Sequence, residues 1–177
     1  EQVALYGAAA KLVLLTGIAM SVANGVLPPY ISEFRGRGDI QGLQALLRRV
    51  ATLASIPAIV LLIFLLLVPD WMMATVYGAG YAEAGGLLRV LAVGQLVNVM
   101  VGSCGYVLIM FGLSKLVMKI ALVFGFIMLA GSYLLLELGH GSLAVAALVA
   151  FVMAFQQVTM LYFARKRCGV YTAIKLC

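Results

Sequence analysis

Two cations and five amides stand inside runs of sequence that are otherwise oily: Lys11 and Arg89, with Asn24, Gln95, Asn98, Gln156 and Gln157. A guanidinium grips phosphate through its planar fork, and an ammonium meets it as a point charge. Lys11 and Arg89 can therefore hold an anionic group in a cavity. Equally, each can rest among lipid headgroups, Lys11 by snorkelling from near a helix end. Left unpaired at mid-membrane, a cation costs roughly 2.5–3.5 kcal/mol. Each amide either faces a cavity or makes an interhelical hydrogen bond worth about 1 kcal/mol. Lys11, Asn24, Arg89, Gln95, Asn98 and Gln157 are the candidate substrate-binding residues.

Catalytic chemistry finds no footing in the sequence. The single histidine, His140, sits in a tight ELGHGS turn. Cys104, Cys168 and Cys177 follow neither metal-ligand nor disulfide spacing. There is no phosphate-cradling P-loop. Asp70 and Glu137 fall at the ends of apolar runs, so neither is deep enough to serve as an intramembrane relay carboxylate. The expectation is a non-enzyme, without cofactor or metal.

The elements that must position these side chains are membrane helices. The chain has 177 residues, 65% of them hydrophobic and only 10% charged, with a mean hydropathy of +1.15. An ordinary soluble domain is about half apolar and about a quarter charged. A helix crosses the bilayer with about 20 mostly apolar residues. Five runs qualify, at about 3–32, 50–69, 87–114, 117–136 and 141–164. The expected fold is all-α, a polytopic membrane helical bundle over 1–164 with a basic tail at 165–177. No basic leader precedes a cleavage site, and Glu1 sits directly against a helical run. Both features read as a fragment of a longer protein.

Charge sorting orients the spans. Lys and Arg collect on the cytoplasmic side. Ten of the twelve fall in the first, third and last flanking regions; Lys11 and Arg89 fall on the opposite side. This alternation predicts an outside N-terminus and a cytoplasmic C-terminus. It also accounts for the net charge of +6 without nucleic acid, which would need those charges on one soluble face.

Within VLPPYISEFRGRGD, Pro28 and Pro29 lack N–H groups and clash with carbonyls four residues back. They mark either the cytoplasmic end of span one or a hinge whose freed carbonyls face a water-filled cavity. Asp39 reads as the N-cap of an amphipathic helix at 39–49, with Leu43, Leu46 and Leu47 on one face. Its arginines would meet anionic headgroups. Trp71, Tyr77 and Tyr81 form an outer interfacial belt. Small and polar residues line one face of span one (Gly17, Ser21, Asn24, Gly25), of span three (Gly94, Asn98, Gly102, Gly105) and of span five (Ala147, Ala150, Ala154, Gln157). Such stripes let helices approach closely or line a pathway. Span two carries no stripe and is expected to face lipid most.

These segments resemble the polysaccharide flippase branch of the multidrug/oligosaccharidyl-lipid/polysaccharide exporter superfamily. The likeness lies in YGAAAKLVLLTGIAMSVANGVLPPYIS, in the proline exit followed by an amphipathic helix, and in VYGAGYAEAGGLLRVLAVGQLVNVMVGSCGYVLIMFG. It covers nearly the whole chain through glycine, proline and apolar patterns. The resemblance implies a two-lobe transporter in which this chain is most of the second lobe, partnered by an N-terminal lobe. It further implies alternating access that carries an isoprenoid-diphosphate-linked oligosaccharide from inner to outer leaflet of a prokaryotic cell membrane. Polysaccharide polymerase machinery would be a neighbour. Lys11 and Arg89 match the basic cavity residues such a flippase uses for the diphosphate. Two rivals stay open: a cation-coupled multidrug exporter of the same superfamily, which would want acidic pocket residues, and a membrane scaffold without substrate.

Overall fold

A computed structural model describes residues 2–101 and 104–168; Glu1, Gly102, Lys175 and Cys177, which figure in the sequence reading, lie outside the described residues. The chain is an all-α bundle: α1 (Gln2–Leu15), α2 (Ile18–Gly36), α3 (Ile40–Leu67), α4 (Pro69–Tyr77), a 3-10 turn (Ala79–Ala84), α5 (Gly85–Val101), α6 (Cys104–Met110), α7 (Ser114–Glu137) and α8 (Ser142–Cys168). Four helices are long and apolar enough to cross a membrane, five if α1 and α2 count as one bent span. These helices fit a multi-pass membrane protein.

The first span breaks, but not at its prolines. α1 and α2 meet at 44° across Thr16 and Gly17. There the backbone tightens into i→i−3 bonds, Thr16 N to Val13 O at 3.1 Å and Gly17 N to Leu14 O at 3.0 Å. The Thr16 hydroxyl also donates to Val13 O at 2.6 Å. A hydroxyl competing for the backbone and a glycine of low helix propensity together favour a bend. Pro28 and Pro29, expected to end or hinge the span, lie inside α2, which continues to Gly36. Leu27 and Ile31 are buried on either side of the pair, and their packing outweighs the two lost backbone bonds. The exit comes at Gly38, with φ of 70°.

The expected surface helix at 39–49 is not separate. Asp39 does cap it, accepting from Gly42 N at 2.8 Å, but α3 then runs unbroken to Leu67. The reason is a single buried stripe, Leu43, Leu47, Ala51, Ser55, Ala58, Leu62 and Leu65, crossing the supposed boundary at 49–50 without changing face. Beyond it, Pro69 at the first turn starts α4, a helix in the segment read as a loop. Span three starts earlier than expected, at Gly85, and its first described helix ends at Val101. Residues 165–168, assigned to the tail, belong to α8, whose last turn holds Arg165, Lys166 and Arg167. Cations there complement the helix dipole.

Two packed regions form the interior. One joins α1, α3, α4, α5 and the start of α8 around Leu12, Leu62, Met73 and Leu88. The other joins α2, α3, α6, α7 and the end of α8 around Ile31, Leu47, Val107 and Ala164. α7, rather than span two, is the most exposed helix: Ile120 is its one buried residue among those described. α7 leans on α8 alone over much of its length, with Gly131 seated against Leu148.

A polar cleft at the broken span

A cleft of about 460 Å³ opens beside the α1–α2 bend, walled by α5, α6 and α8. Its polar lining is Ser21, Asn24, Gln95, Asn98, Tyr106 and Gln157. Each reaches the cleft for a local reason. The bend swings α2 away from the line of α1, and Ser21 and Asn24 occupy the first turns of α2. Gln95 and Asn98 lie one turn apart on α5. Gln157 lies on the α8 face packed against α5, and Gly94 permits that packing. A Cβ on Gly94 would stand 2.7 Å from the Ala150 Cβ and 2.8 Å from its Cα.

The amides form a relay. The Gln157 Nε2 donates to Asn98 Oδ1, and Asn98 Nδ2 donates to Gln95 Oε1 at 3.2 Å. Gln95 is only 8% exposed, and its Nε2 lies 3.5 Å from the position a Gly17 Cβ would take. The innermost amide thus rests on the glycine of the bend. Asn24 differs from the others: its Oδ1 is buried and has no hydrogen-bond partner. A second, smaller cavity of about 130 Å³ shares Leu14, Gln95 and Met153 with the cleft and is lined also by Tyr6, Val13 and Gly94.

The sequence candidates divide cleanly. Asn24, Gln95, Asn98 and Gln157 come together in this one cleft. Lys11 and Arg89 do not line it; both are exposed. Arg89 precedes Asn98 by about two and a half turns at ~3.6 residues per turn, which puts it on the opposite side of α5, the side shared with exposed Val93. Lys11 occupies the exposed face of α1, one turn before Leu14, so at most it borders the cleft. Gln156 is outside the lining. Pro28 and Pro29 lie one to two turns beyond Asn24, away from the bend. Tyr106 and the bend at Thr16 were missed. Thr16 followed by Gly17 was the available signal for the bend, whereas nothing in the spacing around Tyr106 marked it.

Charged side chains are absent from the described lining, and no group of three His, Cys, Asp or Glu among the described residues stands close enough to hold a metal ion. His140 is exposed, its Nδ1 lying 3.3 Å from Leu138 O. The arrangement can bind and orient a polar group through its amides and through the hydroxyls of Ser21 and Tyr106. Comparison with known proteins finds no matching family model, no similar curated protein and no similar solved structure.

Proposed function

We propose that the protein is a membrane transporter that moves an isoprenoid-diphosphate-linked oligosaccharide from the inner to the outer leaflet by alternating access. The observation that carries this reading is the amide-lined cleft set against a bent span, between two separately packed regions of the bundle. Polar groups inside a membrane are costly and face a partner or a water-filled path. Non-helical backbone at membrane depth is tolerated where it borders a cavity. The sequence resemblance supplies the substrate class, the partner lobe and the prokaryotic cell membrane; the sorting of Lys and Arg supplies the cytoplasmic C-terminus. With Lys11 and Arg89 outside the cleft, the diphosphate would be met by other groups, and this cleft would meet the uncharged part of the cargo.

The test is a leaflet-exposure assay with a fluorescent polyprenyl-diphosphate oligosaccharide in proteoliposomes. The expected result is transfer by the unaltered protein and a loss of about tenfold or more in N98L/Q157L. That loss corresponds to two hydrogen bonds at ~1 kcal/mol each. Unaltered protein that leaves the labelled lipid in its original leaflet would refute the reading.

A further inference from the structure

Away from the cleft, α7 presents a surface with two distinct ends. The helix leans on α8 through Phe124, whose ring centroid lies 5.9 Å from that of Phe155, and through Gly131 against Leu148. These contacts run the two helices antiparallel, so the start of α7 stands level with the end of α8. On the opposite side, Lys115, Lys119, Leu122, Phe126, Leu129 and Tyr133 recur at alternate steps of four and three residues, which keeps them on one face. All six are exposed, Phe126 by 73%. An open apolar groove along the helix is lined by Leu122, Gly125, Phe126 and Leu129. The far end of the face closes with Tyr133, whose hydroxyl donates to Glu137 Oε1 at 2.5 Å.

The positive charge at the near end is unanswered. No Asp or Glu stands between Glu83 and Glu137, or anywhere after Glu137. Glu33 and Asp39, on the helices that share this packed region with α7, are engaged: Glu33 pairs with Arg37 at 2.7 Å, and Asp39 caps α3. The last turn of α8 adds Arg165, Lys166 and Arg167 at the same end.

Two rival occupants fit this face poorly. A second copy, sharing its direction in the membrane, would set Lys115 and Lys119 against their own counterparts in a symmetric pair. An acidic soluble protein would meet the lysines and leave the aliphatic stripe bare. An anionic phospholipid answers both, phosphate to lysine and acyl chain to groove. The lengths agree as well. From Lys119 to Leu129 is ten residues, ~15 Å of helix, half of the ~30 Å apolar core and so the depth of one leaflet.

We propose that this face of α7 is a docking surface for an anionic phospholipid of the bilayer, its headgroup held by Lys115 and Lys119 and an acyl chain lying along Leu122, Phe126 and Leu129. The surface stands apart from the cleft and does not depend on the transport reading.

Tryptophan quenching by brominated phospholipids tests it on the whole chain in vesicles. W71F removes the single native tryptophan, and F126W puts a reporter on the stripe. A cation near the bilayer surface adds about fivefold to the affinity for anionic lipid. Brominated phosphatidylglycerol should therefore be preferred over brominated phosphatidylcholine by about fivefold or more at F126W, falling below about twofold in K115Q/K119Q. L136W, exposed at the other end of α7, should show no preference in the same W71F background. Inorganic phosphate, with ionic strength matched by chloride, should leave the preference intact; its loss would assign the lysines to a free anion and overturn the proposal. Equal quenching by both lipids at F126W, a preference that survives K115Q/K119Q, or the same preference at L136W would also overturn it. So would weak quenching by either lipid at F126W, which would mean that protein covers the face. The vesicles contain no polyprenyl diphosphate, so cargo cannot supply the result. A lipid preference without oligosaccharide transfer would refute the transport reading and leave this surface standing; transfer without the preference would do the reverse.

Discussion

Adding one methyl group at Gly94 should separate α5 from α8 and, with them, the relay. The new Cβ would lie 2.7 Å from the Ala150 Cβ, 2.8 Å from its Cα and 3.2 Å from its carbonyl oxygen. Carbon atoms rest at ~3.5–4.0 Å, so the helices must part by about 1 Å. The obstacle is α8 backbone, which cannot swing aside as a long side chain can. Overpacking of this kind costs about 1–3 kcal/mol. In lipid the cost falls on van der Waals contact, since apolar burial alone does not hold membrane helices together. Asn98, one turn further along α5, moves with Gly94, and an Asn98–Gln95 bond at 3.2 Å keeps its length while the link to Gln157 stretches beyond hydrogen-bonding range. G94A should therefore lower the thermal midpoint in detergent and remove the effect of Q157L. A double-mutant cycle should return a coupling of ~0.6–1.7 kcal/mol, the span measured for hydrogen bonds between membrane helices. The matched control is G125A, where a Cβ meets nothing within 4 Å; it should be neutral or gain up to about 1 kcal/mol. If G94A melts like the unaltered protein, or Q157L costs the same in both backgrounds, the close approach of α5 and α8 does not hold the relay.

Other expectations follow from single contacts. D39A removes the acceptor that caps α3 at Gly42 and should cost about 1 kcal/mol in the same melt. K11Q and R89Q, both outside the cleft lining, should leave lipid transfer in the proteoliposome assay unchanged within about twofold; a loss would place a cation on the path. P28A/P29A should retain full helicity by circular dichroism, because α2 is already helical through both positions. G85V should unseat α4, since a Cβ there would overlap the Asp70 carboxylate and stand 3.1 Å from its backbone nitrogen; a lowered midpoint with added protease cleavage between α4 and α5 checks it.

Much of the bundle was legible because lipid demands long apolar helices, and a composition this oily leaves few alternatives. The Asp39 cap was readable from a local hydrogen-bonding rule. Of the five amides that stood out in the sequence, Asn24, Gln95, Asn98 and Gln157 line one cleft and Gln156 does not, since a polar side chain in a span must find company. The errors share a cause: local signals were outweighed by packing. Pro28 and Pro29 read as a terminus, yet Leu27 and Ile31 hold the helix together around them. Arg48 and Arg49 suggested a surface helix, yet the stripe from Leu43 to Leu65 makes one rod. Span two looked the most lipid-facing because it carries no stripe of small residues, but five of its positions on α3, Ala51, Ser55, Ala58, Leu62 and Leu65, are buried, and α3 packs against α2 and α5. In α7, Gly131 packs closely on Leu148, whereas a Cβ at Gly125 would meet nothing within 4 Å. Arg89 was named a cavity candidate for its guanidinium and its place on the sparsely charged side; helical phase puts it across α5 from Asn98.

The central claim is that Ser21, Asn24, Gln95, Asn98 and Gln157 border a water-filled path rather than a dry helix seam. Alkylation by a membrane-impermeant maleimide decides it most directly, comparing S21C in the cleft with F126C on the exposed apolar face at the middle of α7. The account predicts rapid labelling of S21C and almost none of F126C. Equal resistance at both positions would mean that the cleft is closed to water, contradicting the account.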